Sequence, residues 1–125
     1  MDLDGLIAYN AQKQGVEETF PFDEDTLVFK VMGKMFALCS ITDLPFRINL
    51  KCDPEWSEEL RDEYPEITPG WHMNKKHWNT VVVGEGGLEQ SLILKLIDHS
   101  YDLVVKSLTK AKKLELEELK KMNEQ

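Results

Sequence analysis

The sequence predicts an α+β fold, in which an antiparallel β-sheet of about six strands has its helices packed on one face. Three observations favour this class. Strand-like segments outnumber helical crossovers, most connections between them are short, and several strand-like segments alternate apolar with polar residues. Such alternation is typical of an antiparallel sheet with one buried face, so the opposite face is expected to meet solvent.

The N-terminal third predicts a helix, an edge strand and a hairpin. Residues 2–13 have the apolar spacing of a short amphipathic helix. The segment ETFPF, residues 18–22, predicts an edge strand, where a proline is tolerated. Residues 26–41 alternate in polarity on both sides of Gly33 and Lys34, which predicts a hairpin whose two-residue turn is formed by that pair.

The segment FRINLKC, residues 46–52, predicts a half-buried strand with a cationic outer face. Its apolar residues alternate with polar ones, so Arg47 and Lys51 should point away from the core. Lys30 of the hairpin is expected on the same outer face. With Asn49, these cations form a candidate polar surface on the sheet, for which an ordinary solvated outer face is the favoured interpretation.

Two helices and a charged tail complete the prediction. Asp53 can cap a helix that has Pro54 at its first position. The longest helix is predicted over residues 88–108, where an apolar stripe recurs at helical spacing. Residues 1–108 are thus expected to form a single domain, and residues 109–125 a charged helical tail.

The run GWHMNKKHWNTVVV, residues 70–83, is the densest polar and aromatic segment. His72 and His77 are five residues apart, which does not place them on one helical face, and no cysteine or carboxylate accompanies them. The chain shows no nucleophile turn and no phosphate-binding glycine loop. We therefore expect no metal site, no cofactor and no catalytic activity.

The same run suits contact with nucleic acid. Lysines pair with phosphates, asparagine reaches base edges, and tryptophan or histidine stacks on exposed bases. The candidate DNA-binding residues are Trp71, His72, Asn74, Lys75, Lys76 and His77, with Arg47 and Lys51 extending the surface. A structural role remains open within this run: Trp78 as a core anchor, Asn74 as the residue that closes the turn, and His77 as a hydrogen-bonding residue. The same alternative holds for Trp71 and His72, and Lys75 and Lys76 fit an ordinary solvated turn as well.

Charge and composition restrict the partners. The formal charge of −8 disfavours tight, non-specific binding to nucleic acid. The acids are concentrated in residues 17–25 and 53–66, however, so the remainder of the chain carries a small positive charge. No apolar run approaches the roughly 20 residues that span a bilayer, and the N-terminus lacks the basic start of a signal peptide. Together with Cys39 and Cys52, expected as buried reduced thiols, this predicts a cytoplasmic protein without membrane contact.

Four segments together resemble the MmcQ/YjbR family: HMNKKHWNTV, LVFKVMGKMFAL, INLKCDPE and LIDHSYDLV. The resemblance covers residues 1–108. It implies an antiparallel sheet with helices on one side, compared in that family with the frataxin-like fold. It also implies a DNA-binding role through a double-wing surface, with Asn74, Lys75, Lys76, His77 and Trp78 matching the family motif.

The leading hypothesis is therefore a small, non-catalytic DNA-binding protein. The alternative is a protein-interaction module that uses the same exposed aromatic and polar surface. A small-molecule site or an enzyme built around His72 and His77 ranks last.

Overall fold

A computed structural model describes residues 1–71 and 73–124. Within them the chain forms four helices and six strands. In chain order these are α1 (Leu3–Ala11), β1 (Val16–Thr19), β2 (Thr26–Val31), β3 (Lys34–Ser40), β4 (Arg47–Lys51), α2 (Pro54–Glu63), β5 (Ile67–Pro69), β6 (Trp78–Val82), α3 (Gln90–Ser107) and α4 (Lys110–Asn123).

The strands form one antiparallel sheet in the order β1-β2-β3-β4-β6-β5. Helix α3 packs on β3 and β4, α2 lies against β5, and α1 contacts β1. Each helix contributes to one large apolar core, through Leu6 of α1, Leu60 of α2, Ile97 of α3 and Leu116 of α4. The predicted α+β class is thus confirmed, with its helices on one face of the sheet.

The β2–β3 hairpin turns one residue earlier than predicted. Val31 pairs with Lys34, so the two turn residues are Met32 and Gly33, with φ of 49° and 86°. A two-residue turn of type I′ needs positive φ at both positions. Gly33 meets this requirement without cost at the second position, and Met32 adopts the left-handed conformation at the first.

Helix α3 inserts a serine between β3 and β4. The pairing of β2 with β3 is irregular at Phe29, and β3 pairs with β4 at only two positions. Ser100, which is fully buried, accepts a hydrogen bond of 2.9 Å from the backbone N–H of Lys51 and donates one to the carbonyl of Phe36. The hydroxyl therefore satisfies two backbone groups that the irregular ladder leaves unpaired.

The sequence predicted that the sheet face opposite the helices would be open to solvent. The structure shows that this face is partly covered. It carries a second apolar cluster of Val28, Leu38 and Trp78, on which Met35 and Met73 pack. Trp78 is 8% exposed and is a buried anchor, but on the face away from the main core. The segment that holds Met73 consequently folds back over this face.

The predicted edge strand and the predicted C-terminal tail differ from the structure in extent. Strand β1 covers Val16–Thr19 rather than residues 18–22, because Pro21 has no N–H to donate, and both Phe20 and Phe22 are exposed. The C-terminal segment forms a full helix, α4, whose Thr109 side chain accepts a hydrogen bond from Lys112. Leu116 docks this helix onto the core.

Two other predictions are confirmed. The Asp53 side chain accepts a hydrogen bond from the N–H of Trp56 and caps α2, with Pro54 at the first position. Cys39 and Cys52 are buried free thiols, and burial raises the pKa of both, that of Cys39 to about 12. No helix in the described residues has the length and apolar character required to cross a bilayer.

Candidate nucleic-acid interface

Asn74 organises the turn that follows β5. Its side-chain oxygen accepts a hydrogen bond of 3.0 Å from the N–H of Lys76. Its backbone carbonyl accepts from the N–H groups of His77 and Trp78 at 3.1 and 2.9 Å. Asn74 thus closes the turn on its own backbone, and only its amide NH₂ is left for an external contact. Lys75 and Lys76 are both exposed at the tip of this turn.

Arg61 of α2 stabilises the turn through hydrogen bonds, a role that the sequence analysis did not predict. Its Nε donates to the side-chain oxygen of Asn79 at 2.8 Å, and its Nη2 donates to the carbonyls of Lys75 and Trp78 at 2.6 and 3.2 Å. Asn79 in turn donates to the hydroxyl of Ser57. A sequence signal did exist, because Arg61 is the single base among the acids of residues 53–66.

Trp71 is attached to the sheet through its backbone. Its N–H donates to the Thr80 hydroxyl at 3.1 Å, and that hydroxyl donates to the side-chain oxygen of Asn49 at 2.7 Å. The residue as a whole is 66% exposed. It lines a shallow groove with Pro69, Met73 and Lys75. The prediction for the neighbouring His72 lies outside the described residues.

The strand register places Lys51 beside this turn, and Lys30 on the same face three strands away on β2. Lys51 is paired with Trp78, and Lys30 with Met35, so both cations lie on the face of the second apolar cluster. The backbone N–H of Cys52 donates to the carbonyl of His77, which brings the end of β4 against the turn. We call Lys30, Lys51, Lys75 and Lys76, together with Trp71, the cationic end of the sheet. In the part of the chain that the structure describes, none of the four lysines forms an ion pair.

Arg47 lies apart from the cationic end. It is on the same face as Lys51 but pairs with Val82, toward the other end of β4. Its Nε lies 3.4 Å from a carboxylate oxygen of Asp43, with which the guanidinium forms an ion pair. His77 is half-buried; its N–H donates to the carbonyl of Asn74 within the turn, and its own carbonyl accepts from Cys52. The structure therefore groups Lys51 with the turn and separates Arg47 from it.

A second polar cluster lies on the helical side of the molecule. The Tyr9 hydroxyl donates to Asp98 at 2.7 Å, and Lys13 forms an ion pair with the same carboxylate oxygen. Burial, followed by the hydrogen bond to Asp98, raises the pKa of Tyr9 to about 12. Nearby, His99 accepts a hydrogen bond from the N–H of Asp53, and burial lowers the pKa of its ring. No group of metal-ligating side chains occurs within residues 1–71 and 73–124.

The protein belongs to the α+β class. Its six-stranded antiparallel sheet carries the helices on one face, and a turn with lysines and an exposed tryptophan follows β5. The YjbR family model matches residues 11–103. The chain therefore belongs to the YjbR family, which confirms the resemblance seen in its motifs.

Similar proteins support this membership along most of the chain. Uncharacterised protein YbdF of Escherichia coli O157:H7 is 47% identical over 96 residues, which cover 76% of this chain and 77% of YbdF. Uncharacterised protein YjbR of Escherichia coli K12 is 33% identical over 113 residues, covering 90% of this chain and 95% of YjbR.

Solved structures agree with the fold. The crystal structure of Deinococcus radiodurans protein DR2400 has 45% sequence identity and a TM-score of 0.86, covering 92% of this chain and 87% of that protein. A crystal structure from Pseudomonas syringae has 32% identity and a TM-score of 0.71, covering 82% of this chain and 98% of the other.

Proposed function

We propose that this protein binds DNA through the cationic end of its sheet and performs no chemistry on it. The observation that carries the proposal is that four lysines without ion pairs lie toward the same end of the sheet as the exposed Trp71. Sequence-independent affinity for DNA comes mainly from cations that replace the counterions of phosphates. Exposed aromatic rings add contacts to bases that are not fully stacked.

Each residue of the turn has a distinct part in this proposal. Lys75 and Lys76, at the exposed tip, contact phosphates and set the register of the protein on the duplex. The NH₂ of Asn74 is directed to a base edge, because its oxygen is used inside the turn. Trp71 stacks against a base or sugar at the margin of the contact. Lys51 extends the phosphate contacts along β4.

The acidic balance of the chain limits the size of the contact. Helix α2 carries Glu58, Glu59, Asp62 and Glu63, and its Arg61 touches the turn, so carboxylates border the cationic end on the helical side. A long duplex contact would bring phosphates toward these acids. We therefore propose a short footprint and a moderate affinity that depends strongly on salt.

The test is duplex binding across a salt series, measured by the fluorescence anisotropy of a labelled oligonucleotide. Replacing Lys75 and Lys76 with alanine should lower the slope of log affinity against log salt by about 1.8, since each phosphate contact contributes about 0.9. A matched control replaces Lys110 and Lys113 of α4, which are also exposed, and so makes the same change in net charge. The control should keep the slope of the wild type.

The result also distinguishes the alternative, a protein-interaction module at the same surface. The exposed Trp71 favours such a module, because aromatic residues dominate the energetics of protein interfaces. Absence of duplex binding at low salt, or equal slopes for the two double variants, would refute DNA binding and favour the module. Its binding would respond weakly to salt and strongly to Trp71→Ala.

A further inference from the structure

Three loops meet at the end of the sheet opposite the cationic end. They are residues 20–25 between β1 and β2, residues 41–46 between β3 and β4, and residues 84–87 after β6. The N–H of Ile41 donates to the carbonyl of Asp25 at 2.9 Å, which joins the first two loops. We call these three loops the acidic end.

The third loop closes onto the second at a glycine. The N–H of Gly84 donates to the carbonyl of Phe46 at 3.1 Å. A Cβ at Gly84 would lie 2.7 Å from the backbone nitrogen of Phe46, so any other residue would push the two loops apart. The three loops consequently form one continuous surface.

This surface exposes four large apolar side chains. Phe20 is 48% exposed, Phe22 68%, Ile41 38% and Leu44 89%. The loop that carries the phenylalanines has fixed geometry, because Asp23 accepts hydrogen bonds from the N–H groups of Asp25 and Thr26 and from the Thr26 hydroxyl. Clustered apolar exposure of this kind marks interaction surfaces, whereas isolated apolar residues do not.

The charge of the same surface is predominantly negative, although the N-terminal amino group of Met1 lies at its margin, hydrogen-bonded to the carbonyl of Val83. The three loops contain no lysine or arginine and five carboxylates, those of Asp23, Glu24, Asp25, Asp43 and Glu85. The adjacent cation, Arg47, is paired with Asp43. Nucleic acids and anionic membranes carry the same sign of charge and are repelled by such a surface.

We propose that the acidic end docks a basic polypeptide segment that carries apolar side chains. The exposed phenylalanines and Leu44 would bury the apolar side chains of the partner, and the carboxylates would attract its lysines or arginines. A groove bordered by Leu44, Phe46 and Glu85 gives such a side chain a concave site. The inference is independent of DNA binding, since the two surfaces lie at opposite ends of the sheet.

The experiment uses a synthetic helical peptide of lysine and leucine with one apolar face, labelled for fluorescence anisotropy. Phe22→Ser with Leu44→Ser should weaken peptide binding about tenfold or more, because two exposed side chains that the peptide would bury are lost. The matched control, Leu114→Ser with Met122→Ser, removes two side chains of α4 that are 57% and 68% exposed. The control should bind the peptide like the wild type.

A second double variant and its control test whether the carboxylates attract the peptide. Glu24→Gln with Glu85→Gln should weaken binding several-fold at low salt, and the difference should vanish at high salt. The control Glu58→Gln with Glu59→Gln removes the same charge from the middle of α2, which contributes no residue to the three loops. Because all the substituted residues are exposed, circular dichroism should show an unchanged fold for every variant.

Three outcomes would overturn the proposal. The first is no peptide binding by the wild type at low salt. The second is an equal loss of peptide affinity in the variants of the acidic end and in their controls, which would show that the attraction is non-specific. The third is wild-type self-association, seen by sedimentation, that Phe22→Ser with Leu44→Ser abolishes, because the surface would then belong to a second copy of the chain.

Discussion

Replacing Arg61 with alanine should destabilise the fold and loosen the turn that carries Lys75 and Lys76. The side chain donates three hydrogen bonds, to Asn79, Lys75 and Trp78. Asn79 is only 2% exposed, so its side-chain oxygen would be left unpaired and buried. Loss of this hydrogen bond should therefore lower the free energy of unfolding by about 1.5–3 kcal/mol.

Loss of the other two hydrogen bonds should cost less free energy. The Lys75 carbonyl belongs to an exposed residue, where water replaces the guanidinium at a cost of roughly 0.5–1 kcal/mol. The Trp78 carbonyl keeps a hydrogen bond from the N–H of Gly70. The total is therefore about 2–4 kcal/mol, which for a domain of this size corresponds to a decrease in Tm on the order of 10 °C.

Thermal and urea unfolding, followed by circular dichroism, measure this loss. Arg47→Ala is the matched control, because it also removes one arginine but breaks only the surface ion pair with Asp43, worth less than about 1 kcal/mol. Arg61→Lys should restore the charge without the forked geometry, and therefore little of the stability. A Tm of Arg61→Ala equal to that of Arg47→Ala would refute this account of the turn.

Three further predictions concern stability. Trp78→Ala should cost about 3–5 kcal/mol in thermal unfolding, because it empties the second apolar cluster. Ser100→Ala should cost about 1–3 kcal/mol for each of the two backbone groups it leaves unpaired, whereas Ser107→Ala, whose hydroxyl bonds only within α3, should cost less than about 1 kcal/mol. Because the pKa of Tyr9 is raised from 10.0 to about 12, its contribution to stability should be complete below pH 10 and decline as pH rises toward 12; Asp98→Asn should lower that pKa in an absorbance titration.

Each of these predictions has a result that contradicts it. An unchanged Tm for Trp78→Ala would place the indole on the surface. Equal effects of the two serine variants would show that the hydroxyl of Ser100 does not join β3 to β4. A Tyr9 that titrates at the same pH in the Asp98→Asn variant would leave burial as the sole cause of its shift.

Local patterns predicted those parts of the fold that depend on local chemistry. The alternation around Arg47 and Lys51 predicted which face each side chain of β4 would occupy, because side chains in a strand alternate strictly. Asp53 and Pro54 predicted the start of α2, since capping involves only neighbouring backbone groups.

The features that were missed depend on contacts between distant segments. Alternation does not say which end of a face a residue occupies, so Arg47 and Lys51 were expected to act together although the register separates them. Trp78 was expected in a core, but its hydrophobicity does not specify which side of the sheet supplies its neighbours. Arg61 bonds residues 14 to 18 positions away, which no spacing rule anticipates.

The attachment of α4 has a consequence for the motions of the chain. Leu116 is the one buried residue among the described residues of this helix, and it packs where Gly15 has no side chain: a Cβ there would lie 2.9 Å from Leu116. Burial of a leucine stabilises docking by about 1.5–3 kcal/mol, so roughly a few per cent of molecules should have α4 detached at any moment. Amide hydrogens of α4 should therefore exchange with solvent long before those of β3, because exchange in α4 requires only local opening.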